Sequence, residues 1–147
     1  MPKKAKEIIW HPTAYRELVK AKEWSLDHHG KTKTRKYYGA LIKKIEALAS
    51  NKEQGKIRGE FFSDFIPSIR SNQHLIYYLA TKNKLLVVGI LHDQQSHPEH
   101  MAFRESEHEI LGPEKYIERI SKLGERLEKS DIKKADPSGR ISDKKKP

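Results

Sequence analysis

The chain of 147 residues has the length of one domain, but only 35% of its residues are hydrophobic and 34% are charged, so a small core must carry solvated segments. Cysteine is absent, which excludes disulfides and thiolate metal sites, and no run of about 18 apolar residues is present to span a membrane. The net charge of +10 is concentrated in residues 1–104, which hold 19 Lys and Arg against 10 Asp and Glu, and this favours an anionic partner. The lack of cysteine and of a membrane span predicts a soluble, cytoplasmic protein.

The N-terminal third predicts a strand followed by a helical hairpin. Residues 7–11 have the β-branched and aromatic content of a short strand, which Pro12 ends. A first helix then runs to Gly30, and a second covers residues 31–50 with apolar side chains at a spacing of three and four. The joint apolar face of these two helices is a natural cover for a sheet.

Residues 65–92 predict three antiparallel strands in a meander. The segments at 71–73 and 82–83 are polar and turn-prone, whereas the flanking runs are rich in Ile, Val, Leu and Tyr. Residues 75–80 and 85–91 are apolar at both odd and even positions, which face opposite sides of a strand, so we expect the middle of the sheet to be covered on both faces. The predicted fold is α+β, with an N-terminal strand and a helical hairpin packed on an antiparallel sheet of about four strands.

The C-terminal part predicts one further helix and a solvated end. Residues 93–109 show little periodicity and indicate a short helical turn and a connector, while residues 51–60 indicate a loop. An amphipathic helix follows at 113–129; it is too short to be stable alone, so we expect it to dock on the domain's own groove. Residues 130–147 predict a disordered, charged tail. The domain boundaries are therefore 1–104 for the core domain, 105–129 for the connector and helix, and 130–147 for the tail.

Short motifs on the predicted strands carry a family resemblance. Arg70 stands four residues before the run HLIYY at 74–78, the last strand closes with GILH at 89–92, and SHPEHM follows at 96–101. In the order strand, two helices, three strands, this pattern resembles the ParE branch of the ParE/RelE toxins. The resemblance covers residues 7–101 in chain order and leaves out the C-terminal helix and tail.

The resemblance implies the toxin of a bacterial type II toxin-antitoxin system, of the kind that stabilises plasmids. It implies a ParD-like antitoxin as partner and DNA gyrase as target, with no cofactor and no small-molecule ligand. RelE-branch toxins instead cleave mRNA on the ribosome, which needs a base, an acid and a cation on one surface. Where that branch has strand lysines, this chain has Ile66, Pro67 and Ser68. The substitution favours non-enzymatic, ParE-like inhibition.

Two alternatives remain open at this point. In the first alternative the chain is an mRNA endonuclease whose catalytic groups are His92, Arg70 and His74. In the second it is an inactive binding module with the toxin fold. For partner binding, the candidate residues share a position on or beside the last two strands: Arg70, His74, Tyr77, Tyr78, His92 and His100. Tyr77 and Tyr78 point to opposite faces of a strand, so one belongs to the core and the other can reach a partner. We expect no metal site, because the spacing of the histidines between 92 and 100 is not that of a structural zinc site.

Overall fold

The computed structural model describes residues 5–59 and 63–127, which form five strands and three helices. In chain order these are β1 (Glu7–Trp10), α1 (Pro12–Ala49), β2 (Lys56–Arg58), β3 (Ser63–Ser71), β4 (His74–Ala80), β5 (Lys84–His92), α2 (His97–Leu111) and α3 (Pro113–Leu127). The strands make one sheet in the order β1-β5-β4-β3-β2, in which β1 runs parallel to β5 and all other pairs are antiparallel. Within these described ranges, no helix is both long enough and apolar enough to cross a bilayer.

The predicted helical hairpin is present as the two arms of α1. His11 begins the helix by accepting a hydrogen bond from the Thr13 amide, and Pro12 occupies the first turn. The arms reverse at Gly30, whose φ of 83° and ψ of 175° are far from helical values. Side chains nine and sixteen residues apart then meet across the hairpin, since the hydroxyls of Ser25 and Thr34 lie 2.7 Å apart and Lys22 Nζ lies 4.5 Å from the centre of the Tyr38 ring.

Helices cover both faces of the sheet, as the apolar runs predicted. The hairpin face is built from α1 and the sheet residues that point toward it: Ala14, Leu18, Leu41, Ile45, Leu48, Ala49, Ile69, Ile76, Tyr78, Leu85, Val87 and Ile90. The opposite face, which we call the C-terminal face, is covered by α2 and α3: Ile9, Ile66, Leu75, Tyr77, Leu79, Leu86, Val88, Leu91, Met101, Tyr116, Ile117 and Ile120. The α+β fold is therefore confirmed, with helices on both sides of the sheet.

Two elements differ from the sequence prediction. The segment predicted as a loop contains β2, which the sequence hides because the strand is three residues long and two of them are basic. The segment predicted as a short turn and connector forms the whole of α2. Its buried positions are His97, Met101 and Arg104, and two polar residues among three conceal the helical stripe from a hydrophobicity pattern.

The predicted docking of the C-terminal helix in cis is confirmed. Tyr116, Ile117 and Ile120 of α3 are buried against the sheet, whereas Leu123 is exposed. Burial of these three side chains supplies the tertiary contact that a helix of four turns requires. The predicted end of this helix at 129 and the predicted tail at 130–147 lie outside the described residues.

A buried ion pair closes the edge of β5 where β1 ends. The last backbone bond at this edge runs from the His11 amide to the Val87 carbonyl, and the edge beyond it has no neighbouring strand in the described chain. Arg104 Nη1 donates to the Val88 carbonyl at 2.9 Å, and its Nη2 donates to Glu17 Oε2 at 2.8 Å. Glu17 Oε1 in turn accepts the Ile90 amide at 3.0 Å. Side chains of α1 and α2 thereby satisfy backbone groups that a strand would otherwise pair.

Candidate functional site

Three of the predicted site residues converge at one end of the sheet. β4 begins at His74 and β5 ends at His92; the two residues are cross-strand partners, with ring centroids 5.2 Å apart and nearly perpendicular rings. Arg70, near the end of β3, donates to Asp93 Oδ2 at 2.9 Å, and Asp93 Oδ1 lies 3.2 Å from His92 Nδ1. The structure thus gathers Arg70, His74 and His92 around the carboxylate of Asp93.

His74 is held as a neutral side chain inside this group. It is 9% exposed, and its Nδ1 shares a hydrogen bond with the Tyr37 hydroxyl from the second arm of α1. Burial, reinforced by the neighbouring His92, lowers the pKa of His74 to about 4. Burial also raises the pKa of Tyr37, so its hydroxyl keeps its proton. At neutral pH the pair therefore links the hairpin to β4 without adding charge.

Arg70 is engaged in an ion pair at the surface. The hydrogen bond from its guanidinium is the main reason that the pKa of Asp93 lies below its usual range, so the carboxylate stays ionised. Because the pair is partly exposed, it adds little to stability. Its effect is local: it neutralises the cation and ties the turn after β5 to the end of β3.

A groove lies beside the two histidines, between the hairpin and the ends of β4 and β5. It has two lobes of about 450 and 460 Å³ that share Trp24, His74 and His92 in their walls. We call it the hairpin groove. Trp24 is 51% exposed and stacks on the His28 ring at 4.1 Å. Its cationic lining residues are Lys20, Lys33 and Lys36, and Glu17, its carboxylate, is already paired with Arg104.

Sequence reasoning missed two contributors to this site. No motif in the sequence marks Trp24, whose neighbours in the run KEWSLDHH are mostly polar and precede the hairpin turn. Tyr37 lies within the helix predicted at residues 31–50 and provides the polar partner of His74. In both cases the role depends on where the hairpin places the residue, which local periodicity does not reveal.

The two tyrosines of β4 are both buried. Tyr77 faces α2 and α3, and its hydroxyl bonds His97 Nδ1 at 2.6 Å; Tyr78 faces the hairpin and accepts the Gly55 amide at 2.8 Å. We expected one of the two rings to lie at a surface open to a partner, but both rings are buried because helices cover both faces of the sheet. Contact of either ring with a partner stays a prediction, and it requires a covering helix to move.

The remaining histidines do not assemble a metal site. His97 is buried and uses both ring nitrogens in hydrogen bonds, one to Tyr77 and the other to the His92 carbonyl at 2.8 Å. His100 lies further along α2, exposed, at 3.5 Å from the Gln95 amide nitrogen. In the part of the chain that the structure describes, no group of three or more His, Asp or Glu side chains has an arrangement to hold a metal ion.

Comparisons with known proteins agree with this architecture. The family model of the ParE toxin of the parDE type II toxin-antitoxin system matches residues 8–97. A solved structure described as the chromosomal ParDE toxin-antitoxin system from P. aeruginosa is similar in fold, with a TM-score of 0.50 and 11% identity, over 60% of this chain and 96% of that one. No curated protein matches the chain. Since the family model spans more than half of the sequence, the chain belongs to the ParE toxin family of type II toxin-antitoxin systems.

Proposed function

We propose that this ParE-family chain is a cytoplasmic toxin that inhibits DNA gyrase by binding and is neutralised by a ParD-like antitoxin. The observation that carries the proposal is the burial of the strand positions where RNA cleavage would need a cation. Ile66 and Ser68 are fully buried, and the Ser68 hydroxyl accepts a hydrogen bond from Arg58 Nε of β2 at 3.1 Å. The next cation along β3, Arg70, is paired with Asp93. These features support recognition of a partner over chemistry on a phosphodiester.

The hairpin groove is the surface that we assign to the target. Its exposed tryptophan is the residue type that most often dominates a protein interface, and the three lysines around it complement an acidic partner. His74 and His92 form the wall that the two lobes share, so the predicted partner residues contribute to the same surface. Arg70 and His100 lie next to this lining: Arg70 donates to the Asn72 carbonyl at 3.3 Å, and His100 Nε2 is 3.5 Å from the Gln95 amide nitrogen.

Induced expression tests the target. We expect arrest of DNA replication and a DNA-damage response while bulk mRNA stays intact, and inhibition of supercoiling by purified gyrase. Trp24→Ala should weaken that inhibition at least tenfold, as for an interface hot spot. Phe65→Ala is the matched control, because Phe65 is 56% exposed but lies on β3, away from the groove. Equal inhibition by both variants would assign the target to another surface, and undisturbed supercoiling would reject gyrase.

A second candidate function rests on the 5.2 Å separation of the His74 and His92 rings. Two imidazoles at this distance can act as general base and general acid when the 2′-hydroxyl of RNA attacks the neighbouring phosphodiester, as a ribosome-dependent mRNA endonuclease requires. The test is codon-linked mRNA cleavage in a ribosome-containing extract, with His92→Ala beside the wild type. Rapid cleavage that this variant abolishes would establish the endonuclease and displace gyrase inhibition. A chain that binds its antitoxin yet arrests nothing would be the inactive binding module.

The antitoxin contact is tested by its dependence on salt. A net charge of +10 should attract an acidic antitoxin from a distance, which mainly raises the association rate. We therefore expect the association rate to fall between low and physiological salt, because the Debye length shrinks to about 8 Å at 0.15 M. A rate that does not change would contradict the electrostatic part of the proposal while leaving the toxin assignment standing.

A further inference from the structure

The segment after the family match forms a groove of its own. Between the start of α1 and helices α2 and α3 lies a cavity of about 590 Å³, which we call the C-terminal groove. Phe103, which is 72% exposed, and Leu123 form its apolar walls above a buried Ile120. The family model ends at residue 97, the first residue of α2, so the rest of α2 and the whole of α3 follow the match.

The rim of the C-terminal groove is basic. Arg16 from α1 and Arg119 and Lys122 from α3 line it together with one acidic side chain, Glu107. Lys122 is 3.7 Å from Glu118, but both side chains are largely exposed, so this pair is weak and can exchange. His11 also lines the groove, and burial followed by the nearby Arg104 and Arg16 lowers its pKa to about 4, so it carries no charge at neutral pH.

We propose that the C-terminal groove binds an acidic amphipathic helix of a protein partner. Apolar side chains of such a helix, spaced by three and four residues, fill the space between Phe103 and Leu123. Its carboxylates meet Arg16, Arg119 and Lys122 at the rim, where opposite charge fixes orientation and raises the encounter rate. The proposal concerns a surface apart from the hairpin groove and does not depend on gyrase as target.

Charge argues against the other occupants. A second copy of the chain would bring a net charge of +10 against this basic rim. The chain's own residues 128–147 hold 7 Lys and Arg against 4 Asp and Glu, so they have the wrong sign as well. A nucleic acid has the right sign, but the walls offer one exposed aromatic ring, Phe103, beside aliphatic Leu123 and Ile120, whereas a single strand stacks its successive bases on several rings. An acidic protein helix satisfies both the apolar walls and the rim.

Binding of a synthetic helix tests the proposal on the full chain. The probe is a fluorescein-labelled, 18-residue peptide with Leu at three-four spacing and Glu at most other positions, titrated by fluorescence anisotropy. We expect Phe103→Ser to weaken binding about tenfold, as for a central apolar contact. Ile110→Ser is the matched control: Ile110 is 81% exposed on the same helix but does not line the groove, so its change should stay within about twofold.

A second pair of variants tests the rim. Arg119→Glu combined with Lys122→Glu should weaken the peptide more than tenfold at low salt, whereas Lys115→Glu, exposed on α3 but outside the groove, should have a much smaller effect. Circular dichroism checks that all variants are folded. Equal loss in Phe103→Ser and Ile110→Ser, or no binding to the wild type, overturns the proposal. So does a wild-type dimer that Phe103→Ser dissociates, which would make the groove a self-contact, or poly-U RNA binding that depends on Phe103.

Discussion

The two faces of the sheet are buried by segments of different character. The hairpin face is covered by α1, whose members of the buried cluster on this face are aliphatic, and the bond between Tyr37 and His74 joins α1 to the start of β4. On the C-terminal face, the polar contact between His97 and Tyr77 lies within the covered region, and the ion pair between Arg104 and Glu17 joins α2 to α1 at the edge of β5. The hairpin lies inside the family match, whereas most of the C-terminal cover follows it.

The difference shows how a chain can add a layer to an existing sheet. Apolar burial is not directional, so it tolerates small shifts, but buried polar groups must keep their partners. We therefore expect single substitutions on the C-terminal face to be most costly where they leave such a group unpaired.

The largest effect is expected for Arg104→Met. The substitution leaves the Glu17 carboxylate and the Val88 carbonyl without their buried partner, and breaking a buried pair in this way costs about 3–5 kcal/mol of unfolding free energy. Lys44→Met is the control, because Lys44 forms an exposed pair with Glu53 at 2.9 Å, and its loss should cost about 1 kcal/mol or less. Denaturant unfolding measures both; similar costs would mean that the Arg104 pair does not secure the C-terminal cover.

Ile120→Ala should come next. Ile120 is buried in the cluster that joins α3 to the sheet, so its truncation should cost about 2–4 kcal/mol, from lost burial and from the cavity that remains. Leu123→Ala, one turn further along the same helix and exposed, should cost less than about 1 kcal/mol. Amide exchange provides a local readout: Ile120→Ala should speed exchange in α3 but leave the second arm of α1 protected. Uniform acceleration in both segments would show that the two faces unfold as one unit.

The same two faces differ in how far their structure follows from sequence. The hairpin and the three long strands were predicted because their apolar residues repeat with the periods of helix and strand. The α2 helix was not, because His97 and Arg104 occupy buried positions that a hydrophobicity pattern scores as surface. Arg104 is recognisable only once Glu17 is known to approach from 87 residues away.

The candidate site was predictable in part for a similar reason. Arg70, His74 and His92 were assigned to neighbouring strand ends, and antiparallel pairing then brings them together. Trp24 and Tyr37 come from α1, and their place in the site depends on how the hairpin packs on the sheet. That packing is a tertiary property which no local pattern encodes.

Acid should weaken both faces, with the largest contribution from one histidine on each face. Burial lowers the pKa of His74 and of His11 from 6.5 to about 4 in the folded chain. The unfolded chain therefore binds these protons first, so stability is fully present above about pH 6.5 and falls as the pH drops toward 4. Each histidine should account for up to about 3 kcal/mol of that loss, at about 1.4 kcal/mol per pH unit.

Denaturant unfolding at pH 7 and pH 4.5 measures these contributions separately. His74→Gln, on the hairpin side, and His11→Gln, beside α3, should each remove about half of what these two histidines contribute to the pH dependence over this range, as the folded pKa of each is about 4. The double variant should lose almost all of the pH dependence that comes from these two histidines. A slope that neither substitution changes would mean that the acid loss arises from other groups.

The smallest effect is expected for Gly89→Ala, which tests why glycine stands in the GILH motif. A Cβ at this position would lie 2.7 Å from Arg104 Nη1 and 3.0 Å from Met101 Sδ, so the guanidinium must shift from its place beside the Val88 carbonyl. Overpacking of this kind costs about 1–3 kcal/mol. Gly39→Ala is the control: it lies in the second arm of α1 with open space around it, so it should raise the unfolding free energy by about 0.5–1 kcal/mol.

The cost at Gly89 should also depend on its neighbour. In an Arg104→Met background the long cation is gone, so the cost of adding Gly89→Ala should fall by at least about 0.5 kcal/mol, the coupling expected of residues in contact. Additive costs would mean that Gly89 serves the strand itself and not the ion pair.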